Sequence, residues 1–230
     1  MLIHKEGRKT LFITTVILVL LNGFMFRFFP ESLFSFIMLF ISVVVFALMM
    51  NFFKKPSRVY EGDLLDYVNA PADGRIVVIE KTFEKNYFNE ERIQISIFMS
   101  FFNAHSNWIP VTGKVVHYSH EKGNFHAAYL PKSSHENERS NIIIETPDGH
   151  RVLTRQIAGA VARRIVTYVK EGEYYHIGDR LGFIKLGSRM DVFLPTDSEI
   201  LVQIGDEVRA NETLLARLPE KLKGNEKTDS

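Results

Sequence analysis

Two apolar stretches lie almost end to end near the N-terminus, Leu11 to Phe29 and Leu33 to Phe53, separated by Pro30-Glu31-Ser32. Asn22 and Arg27 interrupt the first, and the second carries no charge. Each is long enough, as a helix, to cross a hydrocarbon core of about 30 Å. Helices of a soluble core keep a polar stripe, and these stretches are apolar on every face. A removable signal peptide would need a small-residue cleavage site, but the second stretch follows the first at once. Lys5, Arg8 and Lys9 precede the pair, and Lys54, Lys55 and Arg58 follow it. That asymmetry predicts both ends on the cytoplasmic side with the short loop outside. Arg27 is close enough to the end of its span to snorkel. Residues 1–60 therefore read as a membrane-anchoring helical hairpin, with the rest of the chain on the cytoplasmic face of the cell membrane.

From about Glu61 the pattern changes to short apolar runs between glycine, asparagine and aspartate turns, which marks an all-β domain. The runs are Arg75 to Glu80, Ile93 to Met99, Gly113 to Tyr118, Asn141 to Glu145, Val152 to Ile157, Arg180 to Ile184 and Ile200 to Ile204. Ile157 to Lys170 fits either a short helix followed by a strand or one bent strand. Pro71-Ala72-Asp73-Gly74-Arg75-Ile76-Val77 is echoed by Pro110-Val111-Thr112-Gly113-Lys114-Val115-Val116, and Gly-Asp turns recur at Gly178-Asp179 and Gly205-Asp206. The expected fold is mainly β, a barrel-sandwich-like domain over residues 61–219, ending in a charged, frayed tail at 220–230. Acidic and basic residues nearly balance, 27 against 28, so bulk charge suggests no nucleic-acid partner. The absence of cysteine excludes disulfides and thiolate catalysis.

Leu186-Gly187-Ser188 joins two strand-like runs. A Gly-Ser bond there is an ordinary turn, or a place where a bent backbone exposes the Gly187 carbonyl to the Ser188 oxygen. In the second case the amide becomes an ester, and elimination leaves a new N-terminus that hydrolyses to a pyruvoyl group. Such a ketone forms a Schiff base with an amine and acts as an electron sink, with no need of pyridoxal phosphate. His105 follows the aromatic run Phe98-Met99-Ser100-Phe101-Phe102, a setting for a neutral base. If the two proline-glycine turns meet, Asp73, His105 and Ser188 make a carboxylate, base and nucleophile series. Taken singly, an aspartate such as Asp73 is more often a turn residue that bonds its own backbone. His117 and His120 fall on opposite faces of a strand, and no acidic motif completes a metal site. Arg139, Arg155, Arg163 and Arg164 are candidate anion contacts or simple surface charges.

Taken together, these segments resemble the phosphatidylserine decarboxylase proenzyme family, and specifically its short prokaryotic subclass. The likeness runs from about Asp66 to Arg217. It rests on Leu186-Gly187-Ser188, on Pro71-Ala72-Asp73-Gly74, on Phe98-Met99-Ser100 with His105, Asn107 and Pro110, and on Asn137-Glu138-Arg139 and Arg155-Gln156-Ile157-Ala158-Gly159. It implies cleavage between Gly187 and Ser188 into a β chain (1–187) and an α chain (188–230) that stay together as a heterodimer. It also implies a covalent pyruvoyl cofactor from Ser188, no metal, Asp73 and His105 as partners in processing, and phosphatidylserine in the bilayer as substrate. Arg139, Arg155 and Arg163 would then meet the substrate anion. Three positions depart from or distinguish the family pattern. Asn103 stands where many members have Asp, Trp108 where the short subclass is often basic, and Arg189 where the long subclass has Thr. Two other readings remain open, a pyruvoyl decarboxylase of another amine and a non-catalytic membrane-anchored module.

Overall fold

A computed structural model describes residues 2–58, 65–123, 137–159, 164–185 and 188–220. The chain divides into two compact units, Met1–Ser57 and Arg58–Ser230.

In the first unit, β1 (Leu2–Ile3) leads into helix α1 (Lys5–Phe28); helix α2 (Leu33–Phe52) then runs to β2 (Lys54–Lys55), which pairs antiparallel with β1. The His4 and Ser32 side chains cap the two helices by accepting from the Glu6 and Phe34 amides. By length and composition both helices can cross a membrane. Asn22, the amide inside the first apolar stretch, donates to Leu18 O at 2.7 Å and across to Ser42 Oγ on α2 at 2.8 Å. A polar group in hydrocarbon needs such partners, and here they tie the two helices together.

The second unit is mainly β. Its strands are β3 (Tyr67–Asn69), β4 (Gly74–Glu84), β5 (Glu90–Met99), β6 (Ser106–Trp108), β7 (Gly113–Glu121), β8 (Arg139–Glu145), β9 (Arg151–Ala158), β10 (Arg164–Thr167), β11 (Tyr174–Tyr175), β12 (Arg180–Lys185), β13 (Ser188–Leu194), β14 (Glu199–Ile200), β15 (Glu207–Val208) and β16 (Leu214–Arg217). Eight of them form a curled antiparallel sheet in the order β11-β7-β8-β9-β13-β5-β4-β15. Two three-stranded sheets, β10-β12-β6 and β14-β16-β3, complete the described architecture. The second half of the ambiguous 157–170 segment is strand β10. Residues 160–163 lie outside the described set, as do 221–230 of the tail. Of the expected Ile200 to Ile204 strand only Ile200 falls in a strand, β14, and the chain then turns through Gly205, whose φ is 101°.

The sheet has two chemically different faces. Met190, Val192 and Leu194 of β13, with Ile95, Ile97, Ile142 and Ile144 of neighbouring strands, enter the main apolar core. Alternate residues of the same strands (Arg189, Asp191, Arg155, Asn141) point the other way, since side chains alternate along a strand. Those polar groups are buried, and they are paired with one another.

The echoed proline-glycine segments form a true structural repeat. Gly74 opens β4 and Gly113 opens β7, and a Cβ on either would overlap a neighbouring carbonyl oxygen, that of Phe98 or Glu145. Both strands then slip register at the same distance from their proline, between Ile76 and Val78 and between Val115 and His117. Ile76 exchanges backbone bonds with Gly205 and Asp206, as Val115 does with Gly172 and Glu173. The two copies also clasp each other. The Trp108 amide donates to Pro71 O at 3.0 Å, and the Asn69 amide donates to Pro110 O at 2.8 Å. Gly74→Ala and Gly113→Ala should each destabilise the domain by about 1–3 kcal/mol, because the extra methyl must push two paired strands apart. Thermal melts of the full chain in detergent should show both losses.

Candidate active site

Ser188 is the first residue of β13 and is fully buried. It pairs with Met99 of β5 on one side and Ala158 of β9 on the other, so it sits in the interior of the large sheet and faces the apolar core. Its hydroxyl donates to Met99 Sδ at 3.1 Å. A thioether is a weak acceptor, so the hydroxyl is held lightly for a buried group. Leu186 and Gly187, the residues before it, lie outside the described set.

His105 is fully buried on the turn between β5 and β6, with Nδ1 3.0 Å from Asn103 O. The Ile184 amide donates to His105 O at 3.2 Å. The imidazole thus belongs to a segment that runs beside β12 just before that strand enters Leu186-Gly187. Asn103 is a turn cap: its Oδ1 accepts from the Ser100 amide at 2.8 Å and the Ser100 hydroxyl at 2.6 Å.

Asp73 has other partners. Its carboxylate is gripped by the Arg58 guanidinium, with Nη2 3.0 Å from Oδ2, and accepts from the Ala210 amide at 2.9 Å. Among the described residues no hydrogen bond joins it to His105. The repeat gives the physical reason. In the second copy Thr112 Oγ1 accepts from the Ile177 amide at 2.9 Å, the bond equivalent to that from Ala210 to Asp73. Both side chains cap a facing turn; the carboxylate adds a charge, and Arg58 answers it. The sequence marked Arg58 only as a flanking positive charge. In the fold it also lies 5.8 Å from the Trp108 ring, whose other neighbour is Arg180 at 4.4 Å. Burial lowers the Arg180 pKa from its ordinary value; the nearby Arg58 charge adds to this and Tyr168 opposes it. The Trp108 indole thus has two guanidinium groups beside it.

Arg139 and Arg155 are not brought to Ser188. The β8, β9 and β13 ladders put Arg139 opposite Ile157 and Arg155 opposite Asp191, on the face turned away from Ser188. Arg155 is buried between Glu84 at 3.2 Å and Asn141 at 2.6 Å, and Arg139 pairs with Glu121. Burial would raise the Glu121 carboxyl, but Arg139, aided by Tyr87 and Arg155, holds it below the usual carboxylate range. Arg163 lies outside the described residues.

On the Ser188 face, sequence reasoning missed a line of buried amides. Gln156 Nε2 donates to Asn107 Oδ1 at 2.9 Å, while Gln156 Oε1 accepts from Ser140 Oγ at 2.7 Å and Thr167 Oγ1 at 2.9 Å. Asn107 Nδ2 in turn lies 3.9 Å from Met99 Sδ, the atom that Ser188 also touches. Asn107 and Gln156 were visible as parts of familiar segments, but their roles depend on strand pairing. Gly182 lies opposite Asn107, and a Cβ there would overlap the Val166 carbonyl oxygen at 2.2 Å and come within 2.8 Å of Gln156 Nε2.

Comparison with known proteins identifies the family. The phosphatidylserine decarboxylase family model matches residues 45–216. The chain is 49% identical over 216 residues to a phosphatidylserine decarboxylase proenzyme of Phocaeicola vulgatus, covering 94% of this chain and 95% of the relative. To the proenzyme of Parabacteroides distasonis it is 49% identical, covering 95% and 99%, and to that of Porphyromonas gingivalis 46%, covering 96% and 100%. A buried serine at the head of an interior strand, preceded in the sequence by glycine, therefore sits in a chain that belongs to the phosphatidylserine decarboxylase family.

Proposed function

We propose that the protein is a membrane-anchored phosphatidylserine decarboxylase, cut by its own chemistry at Gly187-Ser188 and facing the cytoplasm. The observation that carries this reading is the state of Ser188. Conversion to a pyruvoyl group removes its hydroxyl, and the only acceptor left behind among the described residues is a thioether. Among the described residues no strong buried acceptor of the Ser188 hydroxyl is orphaned, so these surroundings fit the group.

In maturation His105 takes the Ser188 Oγ proton, and the oxygen attacks the Gly187 carbonyl carbon. The peptide C–N bond breaks to give an ester. Loss of the Ser188 α-proton then expels the oxygen as the Gly187 carboxylate, and water replaces the nitrogen at the new terminus, releasing ammonia. The pyruvoyl ketone supplies a covalent seat for the substrate amine and a sink for the electron pair left as CO₂ departs. His105 holds the proton that the substrate α-carbon then requires. Asp73 acts as a positioning residue. Through Arg58 it braces Trp108, three residues beyond His105. The apolar hairpin suits a substrate whose acyl chains remain in the bilayer, and the α and β chains stay joined through the sheet.

Purified protein should contain a fragment running from Ser188 to Ser230, blocked at its N-terminus by a hydroxylamine-reactive ketone in intact-mass analysis. Ser188→Ala should remain uncut, and His105→Ala should slow cutting about 10²–10⁴-fold, the usual worth of a positioned base. Rapid cutting of His105→Ala would remove that residue from the base role.

Asp73→Asn and Arg58→Gln should slow cutting by similar factors, about tenfold or more, if the pair braces the His105 segment. An Arg58→Gln protein that cuts normally while Asp73→Asn does not would instead make the carboxylate act on His105 directly.

Substrate class is tested with detergent-dispersed phosphatidylserine. Cut protein should release CO₂ and form phosphatidylethanolamine without added pyridoxal phosphate or metal, while free serine turns over poorly for want of remote binding energy. Equal rates on both would favour a soluble amine substrate.

A further inference from the structure

The amides on the Ser188 face have orientations set from their far end. Ser140 and Thr167 both direct their hydroxyls at one atom of Gln156, its carbonyl oxygen. Its nitrogen then points to Asn107, which must present oxygen to Gln156 and nitrogen to the Ser188 side. The reverse arrangement would leave the Asn107 carbonyl without a described partner and the Ser140 hydroxyl with only Thr167 Oγ1, at 3.3 Å, to donate to. Asn107 is fully buried, and its amide nitrogen has as its described acceptor only the Met99 thioether, at 3.9 Å. A buried donor that lacks a strong acceptor is uncommon in native proteins and calls for an explanation. Ser188 Oγ and Asn107 Nδ2 flank the same sulfur atom, so the donor looks onto the place where the reacting group forms.

Resting on the decarboxylase reading above, we propose that Asn107 Nδ2 receives the carboxylate of the substrate's serine head group, making Asn107 a specificity-determining residue. A carboxylate is an acceptor-only group and matches this donor. A neutral amide is also the better partner for a group about to be lost. A guanidinium would hold the charged ground state more tightly than the transition state, in which that charge is leaving. Arg139, Arg155 and Arg189 are kept on the other face of the sheet, each already paired with a carboxylate.

Two variants test this. Asn107→Asp replaces the donor with an acceptor. Gln156→Glu leaves Asn107 in place but offers it an oxygen, so Asn107 must turn its nitrogen inward and show its oxygen to the site. Each full-length protein is assayed for self-cutting, then incubated with cyanoborohydride and either phosphatidylserine or phosphatidylethanolamine in detergent. Lipid fixed to the α chain is read by intact mass. Phosphatidylethanolamine has the amine without the carboxylate.

Both variants should cut to completion and label with phosphatidylethanolamine nearly as the parent does. Labelling by phosphatidylserine should fall about tenfold or more, the scale on which a site built around one hydrogen bond rejects a mismatched group. An equal fall with both lipids, no fall with either, or loss of cutting in both variants would overturn the assignment. A parent protein that cuts but labels with neither lipid would instead overturn the decarboxylase reading beneath it.

Discussion

Two backbone hydrogen bonds, from the Trp108 amide to Pro71 and from the Asn69 amide to Pro110, hold the catalytic half of this molecule in place. They clasp the two copies of a proline-glycine turn, and each copy starts a long strand of the main sheet. Between the turns, the chain out of β5 must pass through His105 and return as β6. With both ends of that excursion pinned, Met99, His105, Asn107 and Trp108 have little freedom to move relative to Asp73 or to the strand that begins at Ser188. Ordering a loop this way spreads its entropy cost over a framework that is rigid for other reasons.

Parity along the strands does the remaining sorting. Ser188 shares its face with Met99, Ala158 and Gln156; one residue along each strand, the same ladders carry Arg189, Phe98, Ile157 and Arg155 to the other side. The consequence is electrostatic. Formal charges of β8, β9 and β13 collect on one face, where Arg155 meets Glu84 and Arg189 meets Asp191 at 2.6 Å. The Ser188 face keeps hydroxyls, amides and a thioether. A ketone formed from Ser188 and its electron flow would then be surrounded by dipoles of fixed direction, which stabilise developing charge without the desolvation cost of a buried ion.

Much of this was legible in the sequence. The helices could be placed because an apolar run of such length has few other uses, and the turn at Pro30 marked where one stops. The repeat at Pro71 and Pro110 was visible as a faint echo, and its strands follow it. The partners of Asp73 were not legible. Ala210 lies 137 residues away, and nothing in the local pattern says that an aspartate and a threonine at equivalent repeat positions cap equivalent turns. The facing of Arg139 and Arg155 was not legible for a related reason: facing can be read along one strand, but only the pairing register says which residues of the next strand share that face. Asn107 and Gln156 could be noticed as residues, while the direction of their amides needed the distant hydroxyls of Ser140 and Thr167.

The position of β13 has one more consequence. It is bonded on both flanks, to β5 and to β9, and His150 of the N-terminal part lies 3.0 Å from Pro219 O near the other end. A cut between Gly187 and Ser188 would therefore leave a short peptide woven through the middle of a sheet, unable to leave without tearing two ladders. Before the cut, recovery from unfolding is a one-molecule event. Afterwards it becomes an encounter between two molecules, dependent on concentration and on finding a partner. The cut would turn a protein that can renature alone into one whose persistence is set by how slowly it opens.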